Sequence, residues 1–222
     1  MIIREFKIPD LKMHFFAGIN QIDIDLSKIT TQEKIKKESD IVDFLKNFSE
    51  KIQNKYIDSI LQFFSDTFVL NEDHIFVACY YVQKAYFNNQ NISNKKNIEL
   101  LLYLASNRQI KNAVEAFGIT IEYLKKKRLS YCIISSENNL ISINNEVVEY
   151  FDATELEFNL NYESLEKLNR IKNFFEISDN QINVVLNSFD NMVLNNNILE
   201  LSFNALYDLI CEKMTLLSLE KI

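Results

Sequence analysis

Two histidines, three cysteines and a pair of alternating aspartates are the residues of this 222-residue chain whose types could carry chemistry unaided. His14 and His74 have no partner at a ligand spacing such as HExxH, so no metal site is expected. His74 follows Asn71 in the first turn of a helix and reads as a satisfied surface or capping residue. Cys79, Cys132 and Cys211 are odd in number, widely spaced and set in apolar surroundings, which predicts buried structural thiols and no disulfide framework. Asp23 and Asp25 share one strand face opposite Ile22, Ile24 and Leu26, and a carboxylate pair there could serve as acid and base or hold a cation. With no third ligand nearby, a solvated outer face with Gln21 is the expectation. No nucleophile signature accompanies any of these residues, and none is assigned a catalytic role. Only two glycines and one proline occur, which removes a Walker loop, a GxGxxG fingerprint and a GxSxG elbow. No cofactor is implied.

Two segments have the composition to hold an anion. Lys125-Lys126-Lys127-Arg128 lies between a helix end and a strand, where cations suit the helix dipole; a solvated linker is the simpler reading, phosphate contact the alternative. The second is LYLASNRQIKNAVEAFGIT, residues 102–120. Ser106 and Gln109 form an S-x-x-Q capping-box pattern, Ile110, Ala113, Val114 and Phe117 supply a helical apolar face, and Gly118 stands where a left-handed residue ends the helix. First-turn amides and the positive end of the dipole suit an anion, and Arg108 adds a planar donor fork matched to phosphate. By dipole reasoning Arg108 costs about 0.3 to 1 kcal/mol there, which a visiting anion would offset. A net charge of −7 argues against broad sequence-blind nucleic-acid binding and leaves room for a small local site. Tyr80, Tyr81, Tyr86 and Phe87 could stack bases, but their helical spacing predicts core.

The elements that must position these residues follow from periodicity. MIIREFKI and Met13 to Phe16 read as strands around Pro9. Thr30 to Glu33 is a capping-box pattern, and residues 31–64 read as one long helix or a helix pair through Ile41, Phe44, Leu45, Phe48 and Ile52, then Ile57, Ile60, Leu61 and Phe64. FVL at 68–70 is a predicted strand, and Asn71 caps a central helix over about 72–87. Ile98, Leu101, Leu102 and Ala105 mark the next helix. SYCIIS, LISIN, ELEFNL and the closing TLLSLEK read as strands, Leu165 to Phe175 and Ala205 to Met214 as helices, with a polar Asn-rich stretch over 177–203. Between Gly18 and Gly118 every tight turn must use Asn, Asp or Ser. Strands at both ends predict termini paired in one sheet, and the whole, residues 1–222, an α+β single-domain two-layer sandwich: a mainly antiparallel sheet packed with helices, with helical elaborations at about 27–60 and 177–203. With no secretory signal and no apolar run long enough to span a bilayer, a cytoplasmic protein without membrane contact is expected.

LLYLASNRQIKNAVEAFGI, together with NEDHIFVACYYVQKAY upstream and LYDLICEKMTLLSLEK downstream, resembles the small accessory subunit of the KEOPS complex, the family of the animal PRPK-binding protein, and is closest to its archaeal form. IPDLKMHFFAG resembles that family's opening more loosely. The resemblance implies an α+β sandwich that is not an enzyme. It also implies docking on the kinase-like ATPase subunit of the complex and, through it, on the subunit that attaches threonylcarbamoyl to tRNA adenosine. In archaeal members it implies capture of the tRNA 3′ CCA end, carried here by Asn107, Arg108, Gln109 and Ile110. A purely protein-binding regulator without RNA contact is the alternative, favoured by the acidic charge. The chain departs from the family where Ser106 or Asn107 replaces a glycine common before the R-Q-I turn, and its tetra-basic run has no counterpart there.

Overall fold

A computed structural model describes residues 1–25, 27, 38–160, 162–188 and 198–219. Strand β1 (Ile2–Ile8) turns back through a 3₁₀ turn at Pro9–Leu11 into β2 (Met13–Asp23), with Lys12 in the left-handed conformation closing the turn. Helix α1 (Glu38–Lys55) leads to β3 (Ser59–Phe64), and three helices follow: α2 (Glu72–Phe87), α3 (Lys96–Ala105) and α4 (Ile110–Phe117). A single turn, α5 (Ile121–Leu124), precedes β4 (Arg128–Ser135). Then come α6 (Leu140–Tyr150), the two-residue β5 (Thr154–Glu155), α7 (Leu165–Phe174), α8 (Asp179–Leu186) and the long α9 (Ile198–Leu219).

Among the described residues the strands form one antiparallel sheet of order β1-β2-β4-β3, with β5 beside the end of β2. The α+β reading with an antiparallel sheet holds. Side chains alternate across the pleat. Phe15, Ala17, Ile19, Ile60, Phe64, Cys132 and Ile134 face a large core built with α2, α3, α4, α7 and α9. Ile22, Leu61, Phe63, Leu129, Tyr131 and Ile133 face a second core shared with α1 and α6. Helices therefore cover both faces of the inner strands: β3 and β4 are buried along nearly their whole length and largely apolar, whereas β1 at the edge carries Arg4, Glu5 and Lys7 and is mostly exposed.

That double burial explains where periodicity misleads. Residues 59–64 are a strand, not the end of a helix: Asp58 at φ 62° stops the chain after α1, and SILQFF is apolar enough to fill both faces. LISIN is helical, because Leu140, Ile143 and Val147 are buried at helical spacing while Ile141 is 54% exposed. Thr215 to Leu219 of TLLSLEK continue α9, with Met214 and Leu217 buried, while Glu220 and Lys221 lie outside the described residues; among the described residues the expected pairing of the two ends in the sheet does not occur. FVL at 68–70 is not a strand, and of the ELEFNL region only Thr154–Glu155 form a strand, with the Leu156 N–H also donating to the Gln21 carbonyl; Phe158 and Leu160 are buried in chain without regular secondary structure. Within the polar stretch at 177–203, Ser178 and Gln181 make a true capping box that starts α8. Met13 to Phe16 and the Gln21 region prove to be one strand. Its Gly18 is needed for space: a Cβ there would sit 3.0 Å from Met1 Sδ and 3.2 Å from Leu140 Cδ1.

Ile22 and Ile24 are buried and Asp23 and Asp25 exposed, as expected, but Gln21 is buried and donates to Asp66 Oδ2 at 3.0 Å. Leu26 and the Thr30 to Glu33 pattern lie outside the described residues. Residues 38–55 bury Ile41, Leu45, Phe48 and Ile52 against the second core. Among the described residues between Gly18 and Gly118, Asp58, Asn89 and Ser106 are left-handed, in line with the expected turn chemistry.

Candidate functional site

The turn at 106–109 is held by the packing behind it. Asn71 caps α2 by accepting from the His74 N–H at 2.9 Å. The His74 ring is fully buried and both of its nitrogens are hydrogen-bonded, so the expected satisfied surface or capping residue is satisfied but not at the surface. Its Nδ1 accepts from the Leu70 N–H at 3.2 Å, so Nε2 carries the proton and donates to the Leu104 carbonyl at 3.1 Å. Burial pushes this imidazole down to about 4 and keeps it neutral. The start of α2 is thereby tied to the last turn of α3, two residues ahead of Ser106.

Ser106 closes α3; it does not open α4. At φ 46° and ψ 41° it is left-handed, its N–H donates to Tyr103 O at 3.0 Å and the Asn107 N–H to Leu102 O at 3.0 Å, a Schellman closure. The expected Ser106–Gln109 capping box is therefore absent, and the buried Ser106 hydroxyl finds no partner among the described residues. Asn107 Oδ1 instead accepts from the Gln109 N–H at 2.8 Å, turning the chain. Gln109 becomes the residue preceding α4: its carbonyl accepts from Ala113 N–H at 3.1 Å, and its side chain caps nothing in the backbone but accepts from Asn112 at 3.1 Å. The first-turn amides of α4 thus have no side-chain cap, and no acidic residue sits in that turn.

Arg108 lies two residues ahead of the helix and not in its first turn. It is half-buried; burial raises both the Tyr103 hydroxyl and the Glu99 carboxyl, and the Arg108 charge works against that rise. Glu99 is fully buried, and both of its oxygens accept from the Ile92 N–H while Oε2 takes the Ser93 N–H at 2.7 Å. Burial raises this carboxyl; the backbone donors and Arg108 work against that. Arg108 therefore already serves as a nearby counter-charge. Gln109 is exposed, and Ile110, 47% exposed, continues into Val114, 40% exposed, as an apolar stripe on the outer face of α4.

Beside this turn is a cleft of about 600 Å³. Asn107, Asn112 and Glu115 line one side, and Phe68, Phe174 and Lys213 line another. Phe68 and Phe174 stack at 4.3 Å and are half-buried, so their remaining surface is apolar and flat. Of the four residues expected at the site, Asn107 lines this cleft, Gln109 and Ile110 stand at the exposed start of α4, and Arg108 is half-buried in the turn between them. The two phenylalanines come from the loop before α2 and from α7, far apart in sequence, and no local pattern marks them.

Gly118 does not take the expected left-handed conformation; it is extended, at φ −69° and ψ 157°. Its requirement is close approach, since a Cβ would lie 2.3 Å from the Val114 carbonyl oxygen. The cysteines are free, with Cys79 and Cys132 buried, their sulfurs 3.4 Å apart, and Cys211 half-buried. Among the described residues no cluster of His, Cys, Asp or Glu could hold a metal ion, and no helix is long and apolar enough to cross a membrane. Tyr81 stacks on Tyr103 at 5.5 Å against the core, whereas Phe87 is 52% exposed at the end of α2, contrary to the expectation of core.

Fold and candidate site together describe an α+β protein in which an uncapped helix start lies beside an aromatic-walled cleft. Residues 32–217 match the family model described as kinase binding protein CGI-121, and the chain belongs to that family. The family is one of binding proteins, and membership supports a kinase partner. No curated protein matches the chain.

Proposed function

We propose that this protein is a non-catalytic, cytoplasmic subunit of a KEOPS-type complex, acting as one domain over residues 1–222. It docks on the kinase-like ATPase of the complex and, through it, on the threonylcarbamoyltransferase subunit. It presents the tRNA 3′ CCA end for threonylcarbamoyl-adenosine formation. Family membership supports the kinase contact. The RNA contact rests on one observation: an uncapped helix start, preceded by Arg108, opens beside a cleft walled by half-buried aromatic rings.

Single-stranded RNA is held by phosphate contact and by base stacking on aromatic or apolar surface. The α4 amides supply the first, with Arg108 and the side-chain amides of Asn107 and Gln109 around them. Phe68, Phe174 and exposed Ile110 supply the second. A gel-shift comparison of intact and CCA-trimmed tRNA tests this. Trimming should abolish binding, and equal affinity for the two would refute the RNA contact. Arg108→Ala should weaken binding of intact tRNA by roughly tenfold, a charge-assisted contact.

A purely protein-binding regulator is the second reading. The Arg108 charge that opposes the burial-raised Glu99 carboxyl supports it, because a structural role for that charge needs no RNA. Under this reading Arg108→Ala destabilises the 92–108 region and leaves tRNA binding by the complex unchanged.

A further inference from the structure

A second cavity, about 200 Å³ in volume, lies on the same side of the sheet. Lys126, Arg128, Lys167 and Arg170 line it together with Asp66 and Gln21, so four cations meet one carboxylate inside a chain of net charge −7. Asp66 is buried and already satisfied: Oδ1 pairs with Arg128 at 3.1 Å and Oδ2 accepts from Gln21 at 3.0 Å. Lys167 is 2% exposed, yet its amine is held by the neutral carbonyls of Leu160 and Tyr162 and by no carboxylate among the described residues. Arg170 spends Nε on the Thr67 carbonyl at 3.1 Å and meets Glu166 at 3.3 Å, a side chain 89% exposed. The Nε–H of Arg128 is buried and donates to nothing among the described residues.

Burial, then the charge of Arg170, pushes the Lys167 amine down to about 8. An anion among these groups would relieve both the unpaired donor and the mutual repulsion. Guanidinium forks suit phosphate, and a cavity below the roughly 300 Å³ of ordinary ligand pockets admits one phosphate group, not a whole nucleotide.

The position is informative too. Thr67 and Phe68 are consecutive, and Arg170 and Phe174 are one turn apart on α7, about 6 Å along its axis. The basic cavity therefore adjoins the aromatic cleft beside Asn107. We propose that it is a phosphate-binding site that holds a backbone phosphate of the same RNA strand whose 3′ end rests at residues 107–110; the identity of the strand rests on the function proposed above.

Two measurements on the full chain test this, with Lys126→Gln, which alters an exposed side chain, and Lys126→Gln combined with Arg170→Gln. In the first, inorganic phosphate is titrated at constant ionic strength while the Nε–H resonances of Arg128 and Arg170 are followed. Saturable shifts that chloride does not reproduce, lost in the double variant, are expected. In the second, tRNA affinity is measured against salt. The logarithmic slope should fall by roughly 0.7 for Lys126→Gln and about 1.4 for the pair. Absent phosphate shifts, or intact tRNA binding with an unchanged slope in the folded double variant, overturns the site while leaving CCA recognition standing. Phosphate shifts in a chain that does not bind tRNA uphold the cavity as a phosphate site and overturn its assignment to the RNA strand, along with the RNA contact itself.

Discussion

Lowering the pH from about 6.5 to 4 is expected to remove roughly 3 kcal/mol of stability through His74 alone. The ring is fully buried, and its folded-state value is pushed down to about 4, against about 6.5 for a free histidine. In that window the unfolded chain takes up a proton that the folded chain refuses, so stability is present above the unfolded value and lost as pH falls toward the folded one. Each unit of separation is worth about 1.4 kcal/mol. The physical obstacle is specific: a proton on Nδ1 displaces the Leu70 N–H that it accepts, inside a pocket that includes Phe117 and Phe175. Urea unfolding of the natural chain and of His74→Gln, at half-unit steps from pH 7 to 4, isolates the effect from the carboxylates common to both. Their difference should grow at up to about 1.4 kcal/mol per unit below pH 6.5 and level off near 4. Parallel curves would refute the assignment of His74 as a buried neutral tie between α2 and α3. Because His74 holds Leu104, hydrogen exchange at residues 104–109 should rise before global unfolding.

Other expectations follow from the same packing. Gly118→Ala must move the Val114 carbonyl and should cost at least about 2 kcal/mol in chemical denaturation, although the backbone there is ordinary. Phe174→Ala should weaken binding of a CCA-terminated oligonucleotide by about 1 to 3 kcal/mol, read by fluorescence anisotropy. Ile110→Glu should abolish that binding with stability within about 0.5 kcal/mol of the natural chain, since the side chain is largely in solvent. The contact with Cys79, then burial, pushes the Cys132 thiol up, so both thiols should react with a water-soluble reagent only as fast as the protein unfolds, well behind Cys211.

Much of the site was legible locally. Asn71 as a helix cap, the helices over 72–87 and 96–105, and the use of Asp58, Asn89 and Ser106 where glycine is lacking all follow from nearest-neighbour chemistry. The helix after R-Q-I was legible too, but not its first residue. Ser106 and Gln109 satisfy a capping-box pattern that the chain does not use, because a Schellman closure of α3 claims Ser106 first. Two helices four residues apart compete for the same linker, and a motif within the linker does not say which of them prevails.

Composition and spacing by themselves determined that this chain folds as α+β and carries no glycine-built phosphate loop. They also singled out the R-Q-I turn as a candidate anion site. Only tertiary structure decided that helices cover both faces of the sheet, which turned SILQFF into a strand and LISIN into a helix, since period alone does not distinguish short apolar runs. It likewise decided that the Arg108 charge is felt at Glu99, that Phe68 and Phe174 wall a cleft, and that Lys126 and Arg128 of the tetra-basic run meet Lys167 and Arg170 around Asp66. Charges and rings from segments about 40 to 110 residues apart become neighbours only when the sheet and α7 pack, and the field at any one of them is the sum over all of its neighbours.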